Sequence, residues 1–311
     1  MIVVGLSGGL GNQLQQYALY TKYVSLGVDA RVDVSWFDEE IQCTVAARRG
    51  IELDSLPGVE YRKCSEKERE LFISRGIWGK IVRRLGLDKA KYYTENNIYD
   101  PELLKLTDRY LDGAFTCECY YADILPELRK KIRFPIEKYS KRADLDSIAQ
   151  DIARKYSIAM HIRRGDYLDD INMPIYGNIC TKDYYLAALD VGLENIKEAK
   201  LFVFSDDPKY AAEFASELVA GHDNLLEFEA VNINSGSNSL FDMYLMSLCD
   251  CVITANSTFS YWGARLNGKD NVIKIRPTKH KNSQPFMPEE MLKLWHGWVF
   301  VSPEGNVYRK E

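Results

Sequence analysis

The chain has 311 residues, 46% of them hydrophobic and 27% charged, and a formal net charge of -5. That length is too great for one small core and suits two domains. The acidic balance excludes nucleic acid as the main partner, since a phosphate backbone calls for a basic face.

The start, Met1-Ile2-Val3-Val4-Gly5, is a β-branched strand and lacks the basic and long apolar regions of a signal peptide. No apolar run approaches the roughly 20 residues that span a bilayer. Seven cysteines, none in a C-x-x-C spacing, fit reduced thiols better than disulfides or a zinc site. The expectation is a cytoplasmic protein.

After the first strand, Gly5-Leu6-Ser7-Gly8-Gly9-Leu10-Gly11 is a glycine-rich turn. Asn12 then opens a helix with Leu14, Tyr17, Ala18 and Leu19 mostly on one face. Ala30 to Val34 alternates as a second strand. The unit is βαβ, and its turn can face an anion near Gly9–Asn12 with backbone amides. A dinucleotide fingerprint is incomplete here, because Leu14 stands where a third glycine belongs.

From Trp36 to about Asp112 the pattern is poorly periodic. Arg75 to Lys91 is a basic stretch with Ile77, Ile81, Val82 and Leu85 at helical spacing. An ordinary surface helix is the first reading; peripheral contact with an anionic membrane or a lipid-linked glycan acceptor is the alternative. Strand character returns at Tyr110–Phe115, and Leu125 to Ile132 is helical. Lys138 to Lys155 forms a charged amphipathic helix joining two halves, with the boundary placed at residue 150. Its Asp144-Leu145-Asp146 sits inside the helical pattern and is surface charge, not a metal site.

In the second half, an apolar strand through Ile158, Ala159, Met160 and Ile162 ends in Arg163-Arg164-Gly165-Asp166-Tyr167. Charges delivered at a strand's carboxyl end stand where α/β sheets bind ligands. Guanidiniums there call for an anion, because they keep their charge and match phosphate oxygens. If Asp166 neutralises one arginine, the other remains for a ligand. Further strands end at Ser205-Asp206-Asp207 and at Ala255-Asn256-Ser257-Thr258-Phe259-Ser260, with Asp242 in an intervening helix. The second run precedes a helix starting at Tyr261, and its three hydroxyl side chains exceed what one N-cap requires. Val272–Ile275 is a final strand, and the aromatic tail (Trp295, Trp298, Phe300) is expected to pack back, on the N-terminal domain.

Gly8-Gly9-Leu10-Gly11-Asn12-Gln13, His161-Ile162-Arg163-Arg164-Gly165-Asp166-Tyr167, Phe204-Ser205-Asp206-Asp207 and Asp242 through Ala264 occur in an order and spacing that resemble the bacterial α-1,2-fucosyltransferases of glycosyltransferase family 11. The resemblance runs nearly end to end. It implies a GT-B-like α/β fold: two Rossmann-type domains facing across a cleft, residues 1–150 on the acceptor side and 151–311 binding GDP-fucose. It further implies inverting, metal-independent transfer of L-fucose to the 2-hydroxyl of a terminal galactose on an oligosaccharide or lipid-linked glycan, with no cofactor.

By the same resemblance Arg163 grips the donor β-phosphate with Arg164 beside it. His161 and Asp242 face guanine. Asp206, Asn256, Ser257, Thr258, Phe259 and Ser260 border the donor, and Gly11 and Asn12 approach the diphosphate. Asp166 is counted with Arg163 and Arg164 as catalytic; Asp169, Asp170, Asp33 and Asp38 are alternatives for a general base. Two other readings stay open: the same fold with another nucleotide sugar, or a non-catalytic nucleotide- or glycan-binding module.

Overall fold

The computed structural model describes residues 1–44, 48–73, 91–139, 142–234 and 236–310. The chain divides into two units, Met1–Arg133 and Phe134–Glu311. The boundary falls before the expected residue 150 because the helix Ala143–Arg154 packs on the second unit's own sheet.

In the first unit, β1 (Ile2–Gly5) pairs in parallel with β2 (Ala30–Asp33) and with β4 (Arg109–Asp112). The short β3 (Tyr92–Thr94) completes a four-stranded sheet of order β2-β1-β4-β3. Ile2, Val3 and Val4 are fully buried, as a strand covered on both faces requires. Helix α1 (Leu10–Ser25) begins two residues earlier than the sequence pattern places it.

That helix is not one-faced: Gln13, Gln15 and Gln16 are as buried as Leu14 and Tyr17. The Gln13 amide donates to the Gly8 and Gly50 carbonyls and accepts from the Glu52 and Leu53 amides. Gln16 holds Ser7 and the Gly113 carbonyl. Polar side chains inside the unit therefore substitute for loop–loop hydrogen bonds, a use that periodicity does not reveal. The unit's described residues also form the short helices α2 (Glu39–Gln42), α3 (Glu66–Glu70) and α4 (Leu125–Lys131). The basic stretch from Arg75 lies, Lys91 apart, outside the described residues.

The second unit has the order β11-β10-β9-β8-β5-β6-β7, parallel throughout except for the β10–β11 pair. Its strands are β5 (Tyr156–Ile162), β6 (Ala199–Ser205), β7 (Leu225–Val231), β8 (Cys251–Ile253), β9 (Ile273–Pro277), β10 (Trp298–Val301) and β11 (Val307–Tyr308). Its helices are α5 (Ala143–Arg154), α6 (Met173–Tyr176), α7 (Lys182–Gly192), α8 (Pro208–Ala220), α9 (Leu240–Met246), α10 (Thr258–Arg265) and α11 (Pro288–Leu294). Ile158, Met160 and Ile162 alternate onto the face shared with Tyr184, Tyr185, Leu189 and Phe214, which leaves His161 on the opposite face.

In the tail, β10 and β11 extend the second sheet, and Trp295 and Phe300 stack near the Arg276 guanidinium, 4.7 and 5.3 Å from its carbon. One expectation is corrected here. α10 begins at Thr258, not Tyr261, so Thr258–Ser260 is its first turn.

The seven cysteines form no disulfide, and no helix among the described residues is long and apolar enough to cross a membrane. Gly8 has φ +75°, and a Cβ there would stand 2.6 Å from the Asn12 Nδ2. Gly8→Ala should lower the unfolding free energy by about 1–2 kcal/mol, seen as a lower urea midpoint at unchanged slope.

Candidate functional site

β5 lies between β6 on one side and β8 on the other. The chain leaves β5 for a neighbour on one side and later returns on the other, so the carboxyl ends of β5 and β8 flank the switch point where open α/β sheets take ligands. The turn Gly165–Leu168 carries the arginine motif out of β5 at that point.

Two guanidiniums and three carboxylates meet there. Arg163 spans two aspartates: Nη2 is 2.6 Å from Asp166 Oδ1 and Nη1 is 2.8 Å from Asp206 Oδ2. The second oxygen of Asp206 accepts the Arg164 backbone N–H at 2.9 Å. Arg164 Nε is 3.1 Å from Asp207 Oδ2, and its guanidinium lies 3.8 Å from the centre of the Tyr210 ring. Asp207 also caps α8 through the Tyr210 N–H. Neither arginine is therefore left unpaired, contrary to the expectation that Asp166 would satisfy only one. The reason is that β6 ends in Ser205-Asp206-Asp207 at the register of Ile162.

The carboxylates hold the forks in place without exhausting them, since a guanidinium has five N–H donors. A Cβ on Gly165 would run into Asp206 Oδ2, so only glycine lets this carboxylate approach.

From β8, Asn256 is 2% exposed. Its Nδ2 donates to the carbonyls of Tyr176 (3.0 Å) and His280 (3.1 Å), and its own carbonyl accepts from the Tyr167 hydroxyl at 3.0 Å. Asn256 thus ties three loops together. Ser257 is the N-cap of α10 yet makes no side-chain capping bond, while Ser260 Oγ turns back to the Ser257 carbonyl at 3.2 Å. Thr258 and Phe259 occupy the same helix start, and the Phe259 ring lies 5.8 Å from the His161 ring.

His161 is 6% exposed and its Nδ1 has no hydrogen-bond partner. Burial, with Arg163 beside it, holds the imidazole neutral at about 3, well below its ordinary value. Asp242, in the first turn of α9, accepts from Asn234 Nδ2 at 2.6 Å, and Arg142 Nη1 donates to Asn234 Oδ1 at 3.1 Å. Burial raises the Asp242 carboxyl to about 7, against the opposing pull of Asn234 and Arg142. The sequence gives no sign of Asn234 or Arg142 as its partners, because they meet it only through the fold.

Gly11 and Asn12 stand in the first turn of α1, in the other unit. Of the general-base alternatives, Asp33 is removed: it is 3% exposed and accepts from Ser35 N–H, Ser35 Oγ and the Tyr110 hydroxyl, with Arg69 3.4 Å away. Asp38, Asp169 and Asp170 are exposed. Asp144 lies in α5 paired with Arg142 at 2.7 Å, which lowers its carboxyl to about 2. Among the described residues no cluster of three or more His, Cys, Asp or Glu side chains is arranged to hold a metal ion.

Parallel α/β units with charged loops at their strand ends are a common scaffold for enzymes of phosphorylated ligands. Residues 103–302 match the family model described as glycosyl transferase family 11; the chain belongs to that family and is a glycosyltransferase. It is 28% identical over 306 residues to an alpha-1,2-colitosyltransferase of Escherichia coli, covering 94% of this chain and 99% of that one. It is also 28% identical over 185 residues to a galactoside 2-alpha-L-fucosyltransferase of Caenorhabditis elegans, 58% of this chain and 48% of the relative. Among solved structures, E. coli ADP-heptose LPS heptosyltransferase II is similar at a TM-score of 0.40 and 11% identity, covering 96% of this chain and 89% of that one.

Gly165→Ala should push Asp206 away from Arg163. Sugar transfer should fall at least about tenfold, as when one fixed electrostatic group is lost, while the melting temperature stays close to that of the wild type; a steady-state assay with a melting curve checks both.

Proposed function

We propose that the protein is an inverting α-1,2-fucosyltransferase, moving L-fucose from GDP-fucose to the 2-hydroxyl of a terminal galactose without a metal ion. The observation that carries the reading is the guanidinium pair clamped by Asp166, Asp206 and Asp207 at the end of β5, next to an α10 start whose Ser257 hydroxyl makes no cap.

When GDP departs, negative charge collects on the β-phosphate. Donors fixed in advance stabilise that charge without reorganising. The unused N–H groups of Arg163 and the amides opening α10 are such donors, in the place that a cation takes in metal-dependent transfer. Asp206 acts by orienting Arg163 and Arg164. Gly11 and Asn12 remain the first unit's own candidates for an anion.

On the opposite face of β5, neutral His161 and Phe259 offer a polar edge and a ring face to a base. The guanine N2 amino group is a donor, and the Asp242 carboxylate accepts from it. The acceptor hydroxyl attacks from the side away from the diphosphate, so a β-linked donor yields an α-linked product. Its proton goes to a base for which the exposed Asp38, Asp169 and Asp170 are the remaining candidates beside Asp166.

The colitosyltransferase relative supports a second reading, in which the donor sugar is colitose. Incubation with GDP-fucose, GDP-colitose and GDP-mannose and a panel of galactose-terminated glycans, with linkage read by NMR, separates the two. Arg163→Ala should cut turnover by about 10²–10³-fold with the fold retained. Turnover within a small factor of wild type in that variant would refute the donor assignment.

Asp242 gives a pH signature. A carboxyl raised to about 7 must lose its proton to accept from guanine, so GDP affinity should rise about tenfold per pH unit up to 7 and level off above it. Calorimetry between pH 5.5 and 8 checks this, and Asp242→Asn should flatten the profile. The sign for stability runs the other way. A raised folded-state value contributes stability that is fully present below the unfolded carboxylate range and is lost as pH rises through about 7.

A further inference from the structure

In the first sheet β1 pairs with β2 on one side and with β4 on the other. The carboxyl ends of β1 and β4 therefore flank a switch point of this unit's own. A carboxylate from the poorly periodic stretch after Trp36 stands there. Gly9, the N-cap of α1, makes no side-chain capping bond, and Glu52 takes that place. Its carboxylate accepts the Leu10 N–H, and a Cβ on Gly9 would lie 3.8 Å from its Oε1. The anion expected at this helix start is thereby supplied by the chain itself.

Glu52 is firmly mounted. Gln13, 0% exposed, accepts the Glu52 and Leu53 N–H groups at 2.8 and 3.2 Å and donates to the Gly50 carbonyl at 3.0 Å. Gln42 accepts the Arg49 N–H and donates to the Trp36 carbonyl, both at 2.7 Å. That amide ties the Glu52 loop to the turn Ser35–Phe37, which follows β2 and is held by Asp33 through the N–H and hydroxyl of Ser35. The turn carries two half-buried rings, Trp36 and Phe37, edge to face at 5.0 Å. Ring surface beside a fixed polar group suits a sugar, which has an apolar C–H face and hydroxyls at its edge.

We propose that Glu52 is the general base of the transfer, taking the proton of the acceptor hydroxyl from a sugar stacked on the Trp36 ring. This rests on the inverting reading given above. The acceptor O–H bond breaks toward a Glu52 oxygen while that hydroxyl oxygen bonds to the anomeric carbon. The bond from that carbon to the β-phosphate oxygen breaks, and its electron pair leaves on GDP. The proton then passes to solvent. The four aspartates considered before suit the task less: Asp166 is paired with Arg163, and Asp38, Asp169 and Asp170 are exposed. A base works best when its acidity approaches the working pH. Burial raises the Glu52 carboxyl above its ordinary value, against the opposing pull of Arg49 and the Leu10 N–H.

The test is steady-state transfer from GDP-L-fucose or GDP-colitose, whichever the wild type accepts, to its best acceptor among galactose-terminated glycans. Calorimetry gives GDP affinity, and a melting curve accompanies each variant. Glu52→Gln keeps an oxygen for the Leu10 N–H, so it should melt like wild type and bind GDP within about twofold, while kcat falls about 10²–10⁴-fold. Wild-type kcat should rise with pH as the carboxyl ionises. Glu52→Gln should lose that limb, and Glu52→Asp should keep it at a reduced rate. Trp36→Ala should raise KM for the acceptor about three- to tenfold with GDP affinity unchanged.

A Glu52→Gln protein turning over within about threefold of wild type would overturn the proposal. So would a slow one whose pH profile matches the wild type's, since the carboxylate would then only cap α1. If Glu52→Gln does not fold, Glu52→Asp decides: a base drawn back by one methylene must lose rate, and wild-type kcat in that variant would overturn the assignment. A wild type that transfers from neither donor would refute the donor reading, and the base with it; the other outcomes bear on Glu52 alone.

Discussion

The second unit's site depends on one electrostatic arrangement: two guanidiniums set side by side at a strand end, each fastened by carboxylates from the neighbouring strand's end. Alone, adjacent like charges repel and wander. Here Arg163 is held from two sides and Arg164 is pinned between Asp207 and the Tyr210 ring. The ion pairs are partly exposed, so their worth to stability is small; their effect is directional. They fix planar donors at the switch point of the sheet, and parallel pairing of β5 with β6 puts the aspartates within reach.

A second layer of order comes from Asn256. Its amide binds carbonyls of two different loops, and its own carbonyl receives a hydroxyl from the arginine loop. A buried amide with its bonds satisfied by backbone is a rigid junction. It explains how the turns after β5, β8 and β9 keep a common geometry despite their irregular sequence. Asp242, through Asn234 and Arg142, gets a comparable mounting on the opposite face.

Much of this was legible in the residues. The strands at Ile2, Tyr156 and Lys200 are marked by β-branched and aromatic runs, and the arginine motif announces itself by its charge at a strand's end. What escaped reading was set by contacts between segments distant in sequence. The local pattern marks Asp206 and Asp207 as a strand end, yet that they answer both arginines follows from register. That Asn256 joins loops through a buried amide is equally hidden, because burial of one amide among hydroxyl residues leaves no trace in composition. The α1 pattern predicts a one-faced helix because glutamine is ordinarily a surface residue; three of them sit inside, and two, Gln13 and Gln16, serve the loops. The tail's aromatic residues promised packing without naming the surface, and the second sheet took them by adding strands.

The Asp206 clamp has a consequence for the thermodynamics of encounter. Long side chains lose roughly 2 kcal/mol of rotamer freedom when they are immobilised. Here that ordering accompanies folding, so under the proposed donor reading a phosphate would meet forks already aimed, and the loss would not be repeated with every catalytic cycle.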